Sequence, residues 1–411
     1  VRRQLISDVP LGAFLSGGLD SSLIVALMSE VAGKSVKTFS MGFRGSGYYD
    51  ETAHARRVAK DFGTDHHEFE AEPKAVEDLE KLVYHFDEPF ADSSAIPLYH
   101  LARAARQYVT VVLSGTGGDD LFGGYRRYAA HYFQRLYAVM PNFVRKNLAA
   151  VARQLPASRR SKVGEYVLFL QKLTGCDSGG IAHDYLNLVT IVHPALMAEV
   201  LQDPWAQSKP DLGEDIFSAA PFPGDRVNCL LYRDFHGYLS DDLLVKEDRM
   251  TMAHGLESRV PFLDRDVVEF AWKLPGNLKV KGWATKYILK KAAERVLPRE
   301  IVHRTKHGFA VPLAEWFRNG LKEMAYDLLL SKNSGYLRQR GVGRMLDDHQ
   351  RGKVDYSPQL WALLVLRVWE EQSKDVTGSR VLLNKVALEP FQTFRSVNRR
   401  DIGGCGPALP G

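Results

Sequence analysis

Ser16-Gly17-Gly18-Leu19-Asp20-Ser21-Ser22 packs two glycines, three hydroxyls and one carboxylate into seven residues. Glycines let backbone N–H groups approach an anion closely. Ser16, Ser21 and Ser22 can donate hydrogen bonds to phosphate oxygens. Phosphate itself would repel Asp20, which makes better sense as a ligand of Mg²⁺ bridging the phosphates. A second string of the same kind follows later: Ser114-Gly115-Thr116-Gly117-Gly118-Asp119-Asp120. Neither string continues as Gly-Lys-Ser/Thr, so the Walker type of phosphate loop is excluded.

Positioning such turns needs strands before them and helices after them. Ala13, Phe14 and Leu15 lead into the first turn, and Leu23, Ile24, Leu27 and Val31 follow at helical spacing. The reading is strand, turn, helix, with the helix N-terminus adding partial positive charge at the turn. Gly33 suits the end of that helix. Lys37 to Met41 reads as a strand. Asp50 to Phe62 reads as a helix with Ala53, Ala55, Val58 and Ala59 inward, and Pro97 to Arg106 as another. Tyr108 to Leu113 reads as a strand buried on both faces, feeding the second turn. Alternating strands and helices imply a doubly wound, mostly parallel α/β sheet, whose ligands sit beyond the carboxyl ends of strands. From about residue 130 helical periodicity dominates, over Val163 to Leu173, Cys229 to Met252, Thr285 to Val296 and Pro358 to Glu371. The expected organisation is an α/β core over 1–130, a helical elaboration over 131–375 and an irregular tail over 376–411.

The composition agrees with one globular protein. Of 411 residues, 45% are hydrophobic and 25% charged, which excludes collagen-like, coiled-coil and largely disordered chains. No apolar run reaches the ~18 residues of a membrane span; the run Leu360 to Trp369 is broken by Arg367. Three cysteines without a CxxC pair exclude a disulfide framework or zinc ribbon and suit the reducing cytoplasm. A net charge of +5 permits an anionic small substrate without demanding nucleic acid. His303 and His307 lack a nearby third metal ligand, and His66-His67 reads as a polar pair at a strand edge.

The first string resembles the pyrophosphate loop of the N-type ATP pyrophosphatases, whose fold is related to the adenine-nucleotide α-hydrolases. Leu113 to Tyr125, Asp248-Arg249-Met250-Thr251-Met252-Ala253, Glu257 to Asp264 and Lys306-His307-Gly308-Phe309 are similar to the ordered motifs of glutamine-dependent asparagine synthetases. The resemblance implies adenylation of a carboxylate by ATP and Mg²⁺, release of AMP and pyrophosphate, and amide formation with ammonia. L-Aspartate is the leading substrate. It implies Asp20 and Asp119 as Mg²⁺ ligands and Ser16, Gly17, Gly18, Ser21 and Ser22 as the pyrophosphate cradle. Leu15, Met41, Ser114 and Gly115 would face adenosine or AMP. Lys306 would neutralise charge on the phosphates, and Thr116, Glu257 and Arg259 would meet the substrate. For Glu257 and Arg259 a structural ion pair is the alternative. Lys246 and Asp248 are two further residues that could face the cleft. A homodimer is compatible with the resemblance.

Two departures stand out. Asparagine synthetases proper usually carry Glu at the position of Thr116, and Thr cannot act as a base near neutral pH. Either Glu88, Asp120 or Glu257 takes that role, or the acceptor differs, as in β-lactam or surface-glycan chemistry. The second departure concerns the N-terminal glutaminase domain of the family, which begins with a nucleophilic Cys. Here residue 1 is Val, and Cys176, Cys229 and Cys405 lie within or beyond the synthetase region. The chain reads as the synthetase half of a longer protein, with a glutaminase domain expected in cis. An inactive interaction module is the reading of a different class; the intact Ser16–Ser22 string, Asp119 and Lys306 speak against it.

Overall fold

Leu11–Phe14 form β1, the strand from which the sheet grows in both directions. The computed structural model describes residues 1–33, 35–43, 51–71, 75–155, 162–174, 181–203, 205–207, 214–304, 311–331 and 335–378. The other strands are β2 (Lys37–Phe43), β3 (Asp65–Ala71), β4 (Val111–Leu113) and β5 (Glu257–Arg259). Their order is β3-β2-β1-β4-β5, and every pairing is parallel. The chain moves outward from β1 through β2 to β3, then returns to pair β4 on the other side of β1. That reversal makes the carboxyl ends of β1 and β4 the switch point where a parallel sheet opens a crevice. Both glycine-rich strings begin there.

Helices α1 (Leu19–Ala32), α2 (Thr52–Asp61), α3 (Ala75–Phe86), α4 (Ala95–Ala105) and α5 (Gly118–Phe122) connect the first four strands and follow the second turn. Helix α1 ends at Gly33, whose φ of 62° is the left-handed conformation expected of a helix-closing glycine. Ala55, Val58 and Ala59 of α2 are buried as expected, whereas Ala53 is exposed and Thr52 takes the inner position. The strand expected from Tyr108 is shorter: Arg106 to Tyr108 form a turn with Tyr108 exposed, and the strand itself covers Val111–Leu113. β5 was not expected: three residues are too short for a period of two to register.

The helical part is fused to the sheet through shared core. Leu79, Phe86, Ile96 and Tyr99 of α3 and α4 pack in one cluster with Phe317, Leu346, Leu360, Trp361 and Leu364. The run expected as one helix from Cys229 to Met252 has three parts: an α-helix Arg226–Asp234, a π-helix Phe235–Leu243 and an α-helix Leu244–Met252. Among short departures from α geometry, π segments occur disproportionately at functional sites. Val1–Trp369 form one compact unit and Glu370–Gly411 a second, whose described residues, 370–378, are helical. Residues 379–411, most of the expected tail, lie outside the described residues. Among the described residues no helix is long and apolar enough to cross a membrane.

Candidate active site

The first turn is held by its own hydroxyls. The Ser16 N–H donates to Ser21 Oγ at 3.2 Å, and the two hydroxyls lie 3.1 Å apart. The Gly18 N–H donates to Ser16 Oγ at 3.3 Å, and Ser21 Oγ donates to the Gly18 carbonyl at 3.3 Å. These bonds curl residues 16–21 so that the start of α1 faces the crevice. Leu15 and Ser22 are buried beneath. Arg304 donates to the Gly17 carbonyl at 2.7 Å and pairs with Glu51.

The second turn closes on the first. A Cβ at Gly115 would stand 2.8 Å from the Ser21 nitrogen, and one at Gly118 would stand 2.7 Å from Asp20 Oδ1. Only glycine admits that approach. Asp20 and Asp119 thus converge, and both reach the same partner. Lys286 Nζ pairs with Asp20 Oδ2 and lies 2.7 Å from Asp119 Oδ1. The lysine side chain is 6% exposed and the two aspartates 15% and 13%. Burial alone would lower the Lys286 pKa, but Asp119 and Asp20 outweigh it and hold the ammonium above the ordinary lysine value.

Beside the second turn runs a hydroxyl relay. Ser114 Oγ donates to Thr116 Oγ1 at 3.0 Å. Thr116 Oγ1 in turn donates to the Glu247 carboxylate, whose other oxygen accepts from Ser258 Oγ. Glu247 is buried on the helix Leu244–Met252. Its neighbour Lys246 is also buried, pairs with Asp92 and lies 3.8 Å from Asp242. Burial would raise the Asp92 pKa, but Lys246 and two bonds from Ser94 hold it below the usual carboxylate range. Burial and Asp92 push the Asp242 carboxyl up to about 7, with Lys246 opposing.

The structure separates the remaining expected residues. Asp248 is exposed while Lys246 is not. Arg259 bonds Glu257 at 2.7 Å and donates to the Gln4 and Ile6 carbonyls, both at 2.8 Å, so its guanidinium is engaged by the N-terminal segment. Met41 lines a small cavity with Phe69, His100 and Arg103. His66 bonds Thr38 and Ser40, and His303 bonds Glu294. Lys306 and His307 lie outside the described residues. Among the described residues no three His, Cys, Asp or Glu side chains are grouped to hold a metal. Two carboxylates, Asp20 and Asp119, suit Mg²⁺ if substrate phosphates and water complete its shell. The residues missed by sequence reasoning are Lys286 and Glu247.

Comparison with known proteins fits this geometry. A family model described as asparagine synthase matches residues 1–371. The chain is 37% identical over 373 residues to glutamine-hydrolyzing asparagine synthetase 1 of Bacillus subtilis, covering 90% of this chain and 57% of that protein. It is 36% identical over 382 residues to a putative glutamine-hydrolyzing asparagine synthetase of Mycobacterium tuberculosis, covering 90% and 55%. Amidase chry2 of Gibberella zeae is 26% identical over 368 residues, covering 81% and 54%. The chain thus spans little more than half the length of these relatives. With the family motifs on the two facing turns and the match running nearly the whole compact unit, the chain belongs to the asparagine synthase family.

Proposed function

We propose that this chain adenylates a carboxylate with ATP and passes the activated acyl group to ammonia, with L-aspartate as substrate and asparagine as product. The observation that carries the proposal is the convergence of Asp20 and Asp119 on a single cation at the switch point between two glycine-rich turns. Both carboxylates already reach one ammonium, so the pair fits a cation of suitable radius. They would hold Mg²⁺, which when bound supplies charge neutralisation for the triphosphate. Ser16, Gly17, Gly18, Ser21 and Ser22, with the N-terminus of α1, would hold the β- and γ-phosphates as the leaving group. Leu15, Ser114 and Gly115 would border the adenosine, with Met41 at the edge. Lys306 retains its proposed place against the phosphates.

The chemistry then balances simply. A substrate carboxylate oxygen attacks the α-phosphorus and pyrophosphate leaves. Ammonia attacks the acyl carbon, AMP leaves, and one proton must be taken from the incoming nitrogen. Glu247 is suited to take it. Its carboxylate lies against Thr116, the position where the family's Glu is replaced, and Glu88 and Glu257 are exposed instead. Thr116 serves as the hydroxyl that orients Glu247. Glu257 and Arg259 fit the structural ion pair better than a substrate contact. Ammonia from a glutaminase domain in cis belongs to the same proposal, as the names of the relatives suggest.

Incubation with ATP, Mg²⁺, L-aspartate and ammonium should release AMP and pyrophosphate in step with asparagine. ADP and phosphate as products would refute the adenylation. The Thr116 replacement favours one second reading, another carboxylate as acyl donor. Pyrophosphate release across a panel of amino and sugar acids separates the two.

A further inference from the structure

Lys286 is placed by none of the motifs, yet it is the residue that ties the two turns together. It precedes the helix Tyr287–Ala293 and lies 266 residues from Asp20 in sequence. Its φ of 52° puts a side-chain-bearing residue in the left-handed region, which among the described residues only Asp87 shares. Such conformations are strained and persist where surrounding contacts impose them, often at ligand clamps. Here the backbone is fixed by the Lys286 N–H donating to the Gly123 carbonyl at 3.3 Å. Gly124 makes the room: a Cβ there would overlap both Asp119 Oδ1 and Lys286 Cε.

Two half-buried aspartates facing each other favour a positive charge between them. One ammonium and one divalent cation cannot share that position, since they would repel at bonding distance. We propose that Lys286 is an exchangeable counter-ion: it bridges Asp20 and Asp119, yields them to the divalent cation that arrives with a polyphosphate, and turns its ammonium to the phosphate oxygens. This rests on the reading above that Asp20 and Asp119 hold the metal. The unbranched lysine stem permits the movement, as a compact ammonium on rotatable bonds has no fixed donor geometry. Lys290, one turn along the same helix, extends the basic wall. Burial, and then the Lys286 charge, hold its pKa below the lysine value, while Asp20 opposes them. The two carboxylates are thereby kept unavailable to free Mg²⁺ and become available when phosphate offers the lysine another partner.

The test is calorimetric titration of the wild type and Lys286→Met with Mg²⁺ alone and with Mg²⁺·pyrophosphate. The exchange predicts opposite shifts in one variant. Mg²⁺ alone should bind Lys286→Met about tenfold tighter, and Mg²⁺·pyrophosphate about tenfold weaker. Unchanged affinity for Mg²⁺ alone, or both affinities moving the same way, overturns the exchange. A wild type that binds no Mg²⁺·pyrophosphate instead overturns the metal-site reading, and the exchange with it. Should Lys286→Met not fold, Lys286→Gln keeps N–H donors for the carboxylates and must show the same opposite shifts.

Discussion

Replacing Glu247 by Gln keeps the side chain's size and removes its charge. In the structure the carboxylate accepts from Thr116 and Ser258 at once. An amide can accept from one hydroxyl through its oxygen, but turns an N–H₂ toward the other. One charge-assisted bond is lost, worth about 1.5–3 kcal/mol gross, and the relief of no longer burying a charge offsets part of it. We expect a net loss of about 1–2 kcal/mol in urea denaturation. The catalytic effect should be larger and selective. Without a base for the incoming nitrogen, amide formation should fall by about 10²–10⁴-fold. Adenylation should persist, because the groups around the phosphates are untouched. The assay is exchange of labelled pyrophosphate into ATP, run beside asparagine formation. Exchange retained with product lost is the expected pattern. Amide formation within a few fold of wild type, despite the stability loss, would falsify a proton-accepting role and leave Glu247 a structural acceptor.

Three other perturbations follow. The Asp242 carboxyl, at about 7 when folded against an ordinary 3.8, binds a proton in the fold that the unfolded chain has released. Its contribution to stability is present below about pH 4 and lost as pH rises through 7. Asp242→Asn should therefore leave the urea midpoint unchanged at pH 4 and raise stability at pH 8. With the side chain 31% exposed, the gain is discounted to about 1–2 kcal/mol; an equal difference at both pH values would contradict the assignment. Arg367 is buried in the last helix and donates to the Leu328 carbonyl and Ser331 Oγ, so Arg367→Ala should cost about 3 kcal/mol through lost packing and lost hydrogen bonds. A change below 0.5 kcal/mol in thermal or urea unfolding would show that neither contact matters. Gly118→Ala places a methyl against Asp20 Oδ1 and should lower pyrophosphate release at least about tenfold while the protein stays folded by circular dichroism; full activity would mean the turns need not approach so closely.

The parts of the site that sequence revealed are those written in consecutive residues. Ser16 to Ser22 carries its strand, turn and helix signals within itself, and Ser114 to Asp120 does the same, so both turns fall where the pattern puts them. Their facing each other follows from the parallel sheet and its switch point. Lys286 had no such signal. Its partners lie 266 and 167 positions away, and nothing in Ala284-Thr285-Lys286-Tyr287 marks a buried charge. Glu247 was hidden by a different cause. It falls in a stretch read as one helix, so the π segment before it, which resets which residues face inward, could not be anticipated. With that reset Lys246 and Glu247 turn inward and Asp248 outward. For Arg259 the sequence left two readings open, substrate contact or ion pair; its bonds to Glu257 and to the N-terminal carbonyls come from residues that its motif does not contain or rank.

The central claim is that a carboxylate oxygen of the substrate becomes bonded to the α-phosphorus of ATP. L-Aspartate labelled with ¹⁸O in its side-chain carboxylate, incubated with the protein, ATP, Mg²⁺ and ammonium, tests it directly. Mass spectrometry of the AMP should find one ¹⁸O transferred for each asparagine formed. AMP free of label, or label appearing in inorganic phosphate beside ADP, would contradict the account.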